Sequence, residues 1–407
     1  MQSLRELYKI GNGPSSSHTM GPKRAVLLFK EKYPEANKFE IYLYGSLALT
    51  GKGHLTDAVI KDILSEYNVN IIFDVETECS VHPNTMDIIA YKEKEELGRW
   101  RVYSIGGGTI EIEGGEKVNI PDIYPLKTFN KIKLYCDQNK IKLQEYVYKI
   151  EGEDIKEFLK YIWDSMKQSV ENGLKTEGIV PGKLKLERKA KYLYEKIIEN
   201  ETPEFKQNRL LNAYAYSVAE ENASGGVIVT APTCGSSGVL PAVLYYLQEK
   251  NNYTEEQIID ALAVAGLIGT LIKENASISG AECGCQAEIG SACCMAAAAC
   301  STLRNATLDE IECSSEIAME HHLGLTCDPI YGYVQIPCIE RNAVAATRAI
   351  QASDMSMLLA EAAKISFDTV IETMYETGRD LNSHYRETSE GGLAKKYTRN
   401  KFYNTEM

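Results

Sequence analysis

The sequence has few of the features that mark nucleic-acid-binding, exported and membrane proteins. Its 44 Lys and Arg residues are outnumbered by 57 Asp and Glu residues, whereas a nucleic-acid backbone requires clustered positive charge. Residues 1–10 lack the apolar core of a signal peptide. The longest apolar stretches, residues 261–272 and 292–300, are too short to span a bilayer. We therefore expect a cytoplasmic protein with a small-molecule ligand and with no nucleic-acid or membrane partner.

Cysteine is present, but not in the pattern of a disulfide-rich protein. The eleven cysteines are an odd number in a chain without an export signal, and they form no C-x-x-C pair, which favours reduced thiols. Three of them, Cys285, Cys327 and Cys338, lie in separate segments of the second half. Three thiolates suit a soft metal or an iron-sulfur cluster and leave one position open for substrate. The alternative is a buried apolar role, which we predict for the three cysteines of the alanine-rich stretch 292–300.

The chain is long enough to exceed a single typical core, which predicts two domains. Its first part has short apolar runs typical of strands, and later periodicity is mostly helical. We predict strands at residues 41–44, 69–73, 101–103 and 109–113, with the last two joined by a glycine turn at 106–108. We predict helices at residues 155–168, 187–199, 255–272 and 355–375. The sequence therefore indicates an α+β domain over residues 1–125 and a mostly α-helical domain over residues 126–407.

One loop, residues 11–22, surrounds a single histidine with Ser, Thr, Gly and Pro. Imidazole titrates near neutrality, so His18 is a candidate acid/base group. Neighbouring Ser16, Ser17 and Thr19 can donate hydrogen bonds to a carboxylate. The alternative is a structural loop whose serines cap the helix that begins near Pro22. The residues alone leave both interpretations open.

Motifs along nearly the whole chain match one family in order. They lie at residues 11–22, 51–54, 82–86, 104–109, 173–178, 221–222, 230–233, 277–282, 321–329, 335–342 and 385–389. With these motifs the chain resembles the bacterial iron-sulfur-dependent L-serine dehydratases, in a single-chain form with fused β and α parts. The resemblance implies an L-serine ammonia-lyase whose 4Fe-4S cluster acts as a Lewis acid on the serine carboxylate and hydroxyl. A base then removes the Cα proton, and the aminoacrylate and imine that follow are hydrolysed to pyruvate and ammonia.

The same resemblance implies roles for individual residues. The three cluster ligands of the family match Cys285, Cys327 and Cys338, and the match favours a functional role for His18. Further candidates for holding substrate or cluster are Asn222, Thr233, Asn275, Arg341 and Asn342. The Arg341 guanidinium suits a carboxylate, although a surface salt bridge is the alternative. For three further histidines in family motifs, His54, His321 and His322, we predict a supporting role.

The family has an α+β N-terminal domain resembling allosteric substrate-binding domains, followed by a mostly α-helical catalytic domain. Since His18 and the cysteines fall in different parts, we expect the active site where the domains meet, within a chain or across a homodimer. Two positions depart from the family. Many members end with a cysteine that enters the active site, but the tail after Leu393 has none. Cys234 stands where many members have Asn, and it is either a substitute ligand or a buried thiol.

Two other classes of protein compete with this interpretation. A pyridoxal-phosphate-dependent dehydratase would use a phosphate-cradling loop, for which residues 106–108 are a weak candidate because they lie between strands. A zinc-stabilised or sensory binding protein would use the cysteines structurally. Structural zinc generally takes four protein ligands, and only three cysteines match.

Overall fold

The chain builds one mixed sheet and a large set of helices. Within residues 1–115 and 121–399, which the computed structural model describes, the strands are β1 (Ile10–Asn12), β2 (Lys38–Tyr44), β3 (Asn68–Asp74), β4 (Thr85–Lys92), β5 (Glu95–Gly106), β6 (Thr109–Ile112) and β7 (Val227–Val229). Five of them form a sheet in the order β3-β2-β4-β5-β6, in which only β2 and β3 run parallel. The remaining two, β1 and β7, pair with each other in antiparallel orientation.

Helices account for most of the chain after residue 128. In the same described ranges they are α1 (Gly21–Lys32), α2 (Gly45–Thr50), α3 (Thr56–Ile63), α4 (Phe129–Asn139), α5 (Leu143–Glu151), α6 (Ile155–Lys175), α7 (Ala190–Glu195), α8 (Pro203–Ala223), α9 (Val239–Asn251), α10 (Glu255–Asn275), α11 (Gly280–Cys283), α12 (Ser291–Leu303), α13 (Leu308–Glu320), α14 (Cys338–Leu359), α15 (Phe367–Asp380) and α16 (Gly392–Arg399). Two five-residue π-helical turns, Ser16–Met20 and Gln286–Gly290, directly precede α1 and α12.

The sheet packs one face against α1 and α3 and forms the smaller hydrophobic core. Alternate residues of β2, namely Phe39, Ile41 and Leu43, point into it, as the two-residue period of a strand requires. Phe29 of α1 is fully buried against them. This core carries no part of the cysteine cluster, so its role is to hold the loops at the edge of the sheet.

The larger core is helical and is centred on α10 and α12. Every residue from Ala261 to Ile272 is buried, and α12 contributes a run of small side chains that allow close helix packing. Cys293, Cys294 and Cys300 of α12 are fully buried. The described residues contain no helix that is both long enough and apolar enough to cross a membrane.

The first residues of the chain pack into this helical core rather than against the sheet. Leu4, Leu7 and Tyr8 are buried there, and the Tyr8 hydroxyl donates to the Leu262 carbonyl at 2.9 Å. Strand β1 then pairs with β7, and only after β1 does the chain leave to form the sheet. The loop at residues 11–22 is therefore tied to the helical part at its start and to α1 at its end.

The predicted fold class, an α+β region followed by a mostly helical region, is confirmed, as are all four strand predictions and the helices within α6 and α10. The helix predicted at residues 355–375 is wrong, because α14 ends at Leu359 and α15 begins at Phe367. Ser366 caps α15 by accepting from the Thr369 N–H, and Phe367 turns into the core. The boundary near residue 125 stays a prediction.

The helix predicted at residues 187–199 is shorter than expected and spans only Ala190–Glu195. Arg209 explains its end, because Nη1 donates to the Leu193 and Tyr194 carbonyls at 2.8 and 3.0 Å. The guanidinium satisfies carbonyls that a further helical turn would use. The chain then continues in extended conformation at Lys196.

Candidate active site

The His18 loop is built by contacts with both parts of the molecule. Ser15 caps the π-helical turn by accepting from the His18 N–H at 3.1 Å, whereas α1 itself, the helix expected to be capped, has no side-chain cap. The Asn222 amide of α8 donates to the Pro14 carbonyl at 2.9 Å. A Cβ at Gly13 would lie 2.2 Å from the Asn222 backbone oxygen, so only glycine allows this approach. Asn222 thus holds the loop in place.

Two buried imidazoles face each other at the edge of the sheet. The rings of His18 and His54 stack with centroids 4.3 Å apart, and both side chains are at most 1% exposed. The carboxylate of Glu387 lies beside them, with Oε1 3.6 Å from His18 Nδ1 and 3.4 Å from His54 Nε2. Glu387 comes from the opposite end of the chain, so this cluster joins the first and last motifs.

Hydrogen bonds show which ring nitrogens of the two imidazoles act as donors. The Ser46 hydroxyl donates to the Glu387 carbonyl at 2.8 Å, so it can only accept from His18 Nε2, which lies 3.0 Å away. His18 Nδ1 is then an acceptor and faces the Ser17 hydroxyl at 2.9 Å. Burial lowers the pKa of His18 to about 4, so this imidazole is neutral at pH 7.

The second imidazole, His54, faces Glu387 through Nε2. His54 Nδ1 lies 3.0 Å from the Thr50 carbonyl and must donate to it, because a carbonyl only accepts. In the neutral ring, Nε2 therefore carries a lone pair that points toward Glu387. Within the described residues no hydroxyl or N–H group donates to this nitrogen.

Glu387 links the histidines to a group of thiols. Its backbone N–H donates to the Cys327 carbonyl at 2.9 Å, and Arg386 and Cys327 form a parallel bridge. The Glu387 backbone has φ of 59°, an uncommon conformation for a residue with a side chain. Its Oε2 is buried without a hydrogen-bond partner among the described residues. An unpaired buried carboxylate oxygen is costly and is typical of a site that receives a ligand.

Two buried thiols, those of Cys285 and Cys327, meet next to this carboxylate, and the thiol of Cys338 interacts electrostatically with Cys285. Cys285 Sγ, Cys327 Sγ and a Glu288 carboxylate oxygen all lie within 4.8 Å of one another. The Cys327 thiol and the Arg341 guanidinium lower the pKa of Cys285. The neighbouring Cys285 and burial raise the pKa of Cys327, and burial raises the pKa of Cys338 although the charge of Arg341 opposes it. Cysteine sulfurs are the donor set of iron-sulfur clusters. These residues therefore fit such a group.

Glycine keeps the space around the thiols open. A Cβ at Gly280 would lie 3.0 Å from Glu288 Oε2 and 3.2 Å from Cys327 Sγ, and a Cβ at Gly235 would lie 3.4 Å from the same carboxylate oxygen. Both positions therefore bring backbone close to the thiol group.

Comparison with known proteins identifies the family of the chain. A family model described as serine dehydratase beta chain matches residues 3–67, and one described as serine dehydratase alpha chain matches residues 76–394. The L-serine dehydratase of Haemophilus influenzae is 40% identical over 97% of this chain and 99% of its own length. L-serine dehydratase 1 of Escherichia coli is 38% identical with the same coverage, and the L-serine dehydratase of Streptomyces coelicolor is 38% identical over 96% of this chain and 98% of its own length. The chain belongs to the serine dehydratase family.

In this serine dehydratase family member, two residues predicted to hold substrate or cluster have structural contacts at the thiols. The Asn342 side chain accepts from the Gly238 N–H at 2.9 Å and donates to the Gly235 and Cys338 carbonyls, each at 2.8 Å. Arg341 donates to the Thr326 carbonyl at 2.6 Å and pairs with Asp328 at 3.2 Å. Arg341 is largely buried, unlike a surface salt-bridge partner.

Other predicted residues differ in how close they come to this centre. Thr233 is buried and acts on the Glu288 carboxyl as a hydrogen-bond donor. Asn275 is exposed at the end of α10 and donates to the Lys127 and Leu271 carbonyls, so its described contacts do not reach the thiols. Cys234 is fully buried with its sulfur 3.4 Å from Met20 Sδ, which favours a packing role.

Sequence reasoning did not single out three residues that the fold brings here, namely Ser46, Glu288 and Glu387. Glu288 follows Cys285 by three positions in a helical turn, a spacing that puts both side chains on one face. Glu387 falls in a family motif at residues 385–389. Ser46 has no such signal, because it reaches His18 only through the start of α2.

A cavity of about 680 Å³ adjoins this centre between the sheet and the helices. Its lining includes Ser46 and His82 from the first part of the chain, and Glu282, Arg379 and Arg386 from the second. Ser46 lines this cavity and also contacts His18, so the cavity lies one residue away from the histidine pair.

Proposed function

We propose that the chain is an L-serine dehydratase that converts L-serine into pyruvate and ammonia, with a 4Fe-4S cluster held by Cys285, Cys327 and Cys338. The observation that carries the proposal is the meeting of buried thiols with a buried histidine pair through Glu387. The names of the relatives support the substrate. The location of the centre between the sheet and the helices agrees with an active site formed by both parts.

When bound, such a cluster supplies a Lewis acid with one open position for the substrate carboxylate and hydroxyl. The chain itself supplies the groups around the substrate. Thr19 donates to the His54 carbonyl at 2.7 Å and Ser17 lies against His18, so both hydroxyls are engaged. Ser16 is buried and makes no hydrogen bond through its hydroxyl to the described residues. We assign Ser16 the hydrogen bond to the substrate carboxylate.

The Cα proton of the substrate goes to the histidine pair. His18 was the sequence-based candidate and remains one, but both of its ring nitrogens face serine hydroxyls. His54 Nε2 faces no hydroxyl group among the described residues, so we propose that His54 in its neutral form accepts the proton at Nε2 while His18 packs against the ring. The β-hydroxyl takes the proton that the histidine received from Cα and leaves as water, and the resulting aminoacrylate tautomerises to an imine. Water hydrolyses the imine to pyruvate and ammonia.

The first experiment measures iron, acid-labile sulfide and pyruvate formation on protein purified without oxygen. We expect about four irons per active chain and loss of activity on exposure to air. Replacing Cys338 with Ala should remove both iron and activity. The matched control is Cys136→Ala, a buried cysteine of α4 in the helical core, which should keep its iron.

Two outcomes refute separate parts of this proposal. Cluster-loaded wild-type protein that makes no pyruvate from L-serine refutes the substrate. Active protein without iron refutes the cofactor. The cytoplasmic location, the homodimer and the domain boundary near residue 125 stay predictions. Gel filtration tests the homodimer, and limited proteolysis tests the boundary.

A further inference from the structure

We propose that Glu387 is the subsite for the α-ammonium group of the amino-acid substrate, an inference that rests on the proposed function. Glu387 Oε2 is buried, accepts no hydrogen bond from the described residues and belongs to a side chain that is 5% exposed. Its Oε1 lies 3.6 Å from His18 Nδ1 and 3.4 Å from His54 Nε2. Hydrogen bonds to Ser46 and Thr50 leave both of those nitrogens as acceptors in the neutral rings.

Glu387 Oε2 is therefore a buried acceptor that receives no hydrogen bond from the described residues. An ammonium group offers three N–H donors and a positive charge, which is what a carboxylate oxygen without a partner requires. The arrangement also suits the reaction, because Cα is one bond away from the ammonium nitrogen. A substrate held by Glu387 therefore has its Cα proton next to His54 Nε2, which lies 3.4 Å from Glu387 Oε1.

A divalent metal ion is the main competitor, since His18, His54 and Glu387 each present one ligand atom within 4.8 Å of the others. His18 Nδ1 already faces the Ser17 hydroxyl at 2.9 Å. Two ligands would then remain, whereas zinc sites in proteins use at least three. The geometry favours an ammonium group over a metal.

The test compares two unreactive ligands that differ only in the ammonium group, L-alanine and propanoate. Their dissociation constants are measured by calorimetry on anaerobic, cluster-loaded protein, wild type and Glu387→Gln. We expect the wild type to bind L-alanine more tightly than propanoate. The variant should lose at least about tenfold in affinity for L-alanine, as expected for one charge-assisted hydrogen bond, with less than about a twofold change for propanoate.

Glu390→Gln is the matched control. Glu390 also pairs with a histidine, His384, at 3.3 Å, but both side chains are about half exposed at the surface of the same segment. This variant should bind both ligands as the wild type does. If Glu387→Gln does not retain its cluster, Glu387→Asp keeps the charge but withdraws it by one methylene, and the same selective loss for L-alanine is expected.

Three results would overturn the inference. Equal weakening of both ligands means that Glu387 only positions His54, and no change in either ligand means that it does not contact the amino acid. A stoichiometric divalent metal that is present in the wild type and absent from the variant identifies a metal site. Pyruvate formation is scored separately. If Glu387→Gln selectively weakens L-alanine binding but the wild type forms no pyruvate from L-serine, the proposed function alone is refuted. If the wild type forms pyruvate but Glu387→Gln does not selectively weaken L-alanine binding, this inference alone is refuted.

Discussion

His322 offers a direct measurement of how burial controls protonation in this protein. The residue follows α13, is 4% exposed and lies with Nδ1 2.7 Å from the Ala318 carbonyl. Burial lowers its pKa to about 4, against about 6.5 in an unfolded chain. Between these two pKa values, the imidazole is protonated in the unfolded state and neutral in the folded state. The stabilisation from a neutral His322 is complete above about pH 6.5 and is lost as the pH falls toward 4.

The magnitude follows from these two pKa values. When the pH is lowered from about 7.5 to about 5, the titration of His322 lowers the free energy of unfolding by about 2 kcal/mol. A protein of this length unfolds with an entropy of about 2 cal/mol/K per residue, so the cost corresponds to about 2 °C in Tm. His322→Asn keeps an amide donor but does not titrate. The Tm of the wild type, measured relative to that of the variant, should therefore fall by about 2 °C as the pH is lowered from about 7.5 to about 5.

Scanning calorimetry at the two pH values, on preparations with equal iron content, measures this shift. His321→Asn is the control, because His321 is adjacent and its side chain is 54% exposed. The gap between this control and the wild type should stay nearly constant. A constant gap for His322→Asn, or a gap that moves in favour of the wild type in acid, would refute the reasoning.

Three further predictions concern close contacts. Gly280→Ala places a Cβ 3.2 Å from Cys327 Sγ, so the iron content per chain should fall. The far-ultraviolet circular dichroism spectrum should stay unchanged, and full iron content in the variant would contradict the prediction. Gly13→Ala brings a Cβ to 2.2 Å from the Asn222 backbone oxygen and should lower stability by about 1–3 kcal/mol, measured as a fall in Tm. Arg209→Ala removes a buried ion pair and two carbonyl contacts and should cost about 3 kcal/mol, and a Tm equal to that of the wild type would refute it.

The sequence was sufficient for features that depend on local pattern. Strand alternation in β2 and the long apolar period of α10 predict elements that are observed. The loop around His18 was recognisable because its serines, glycines and prolines are adjacent in the chain. Three isolated cysteines were recognisable as a set only through the family resemblance, since their spacing alone left a buried apolar role open.

Features that depend on long-range packing were not predictable. Glu387 reaches His54 because Arg386 pairs with Cys327, and no local pattern indicates that pairing. The break between α14 and α15 lies in an alanine-rich segment whose propensity favours continued helix. Burial of Phe367 and the cap at Ser366 outweigh that propensity. For Asn275, the sequence did not indicate that the side-chain amide donates to the backbone carbonyls of Lys127 and Leu271.

The packing of the first eight residues into the helical core has a consequence for synthesis on the ribosome. Leu4, Leu7 and Tyr8 are buried in a core that includes α10, and the Tyr8 partner, Leu262, follows 254 residues later. At a synthesis rate of about 5–20 residues per second, Leu262 is added roughly 10–50 s after Tyr8. The sheet, whose strands all lie within residues 38–112, can form during that interval. The N-terminal segment is thus among the first parts of the chain to emerge and among the last to be buried.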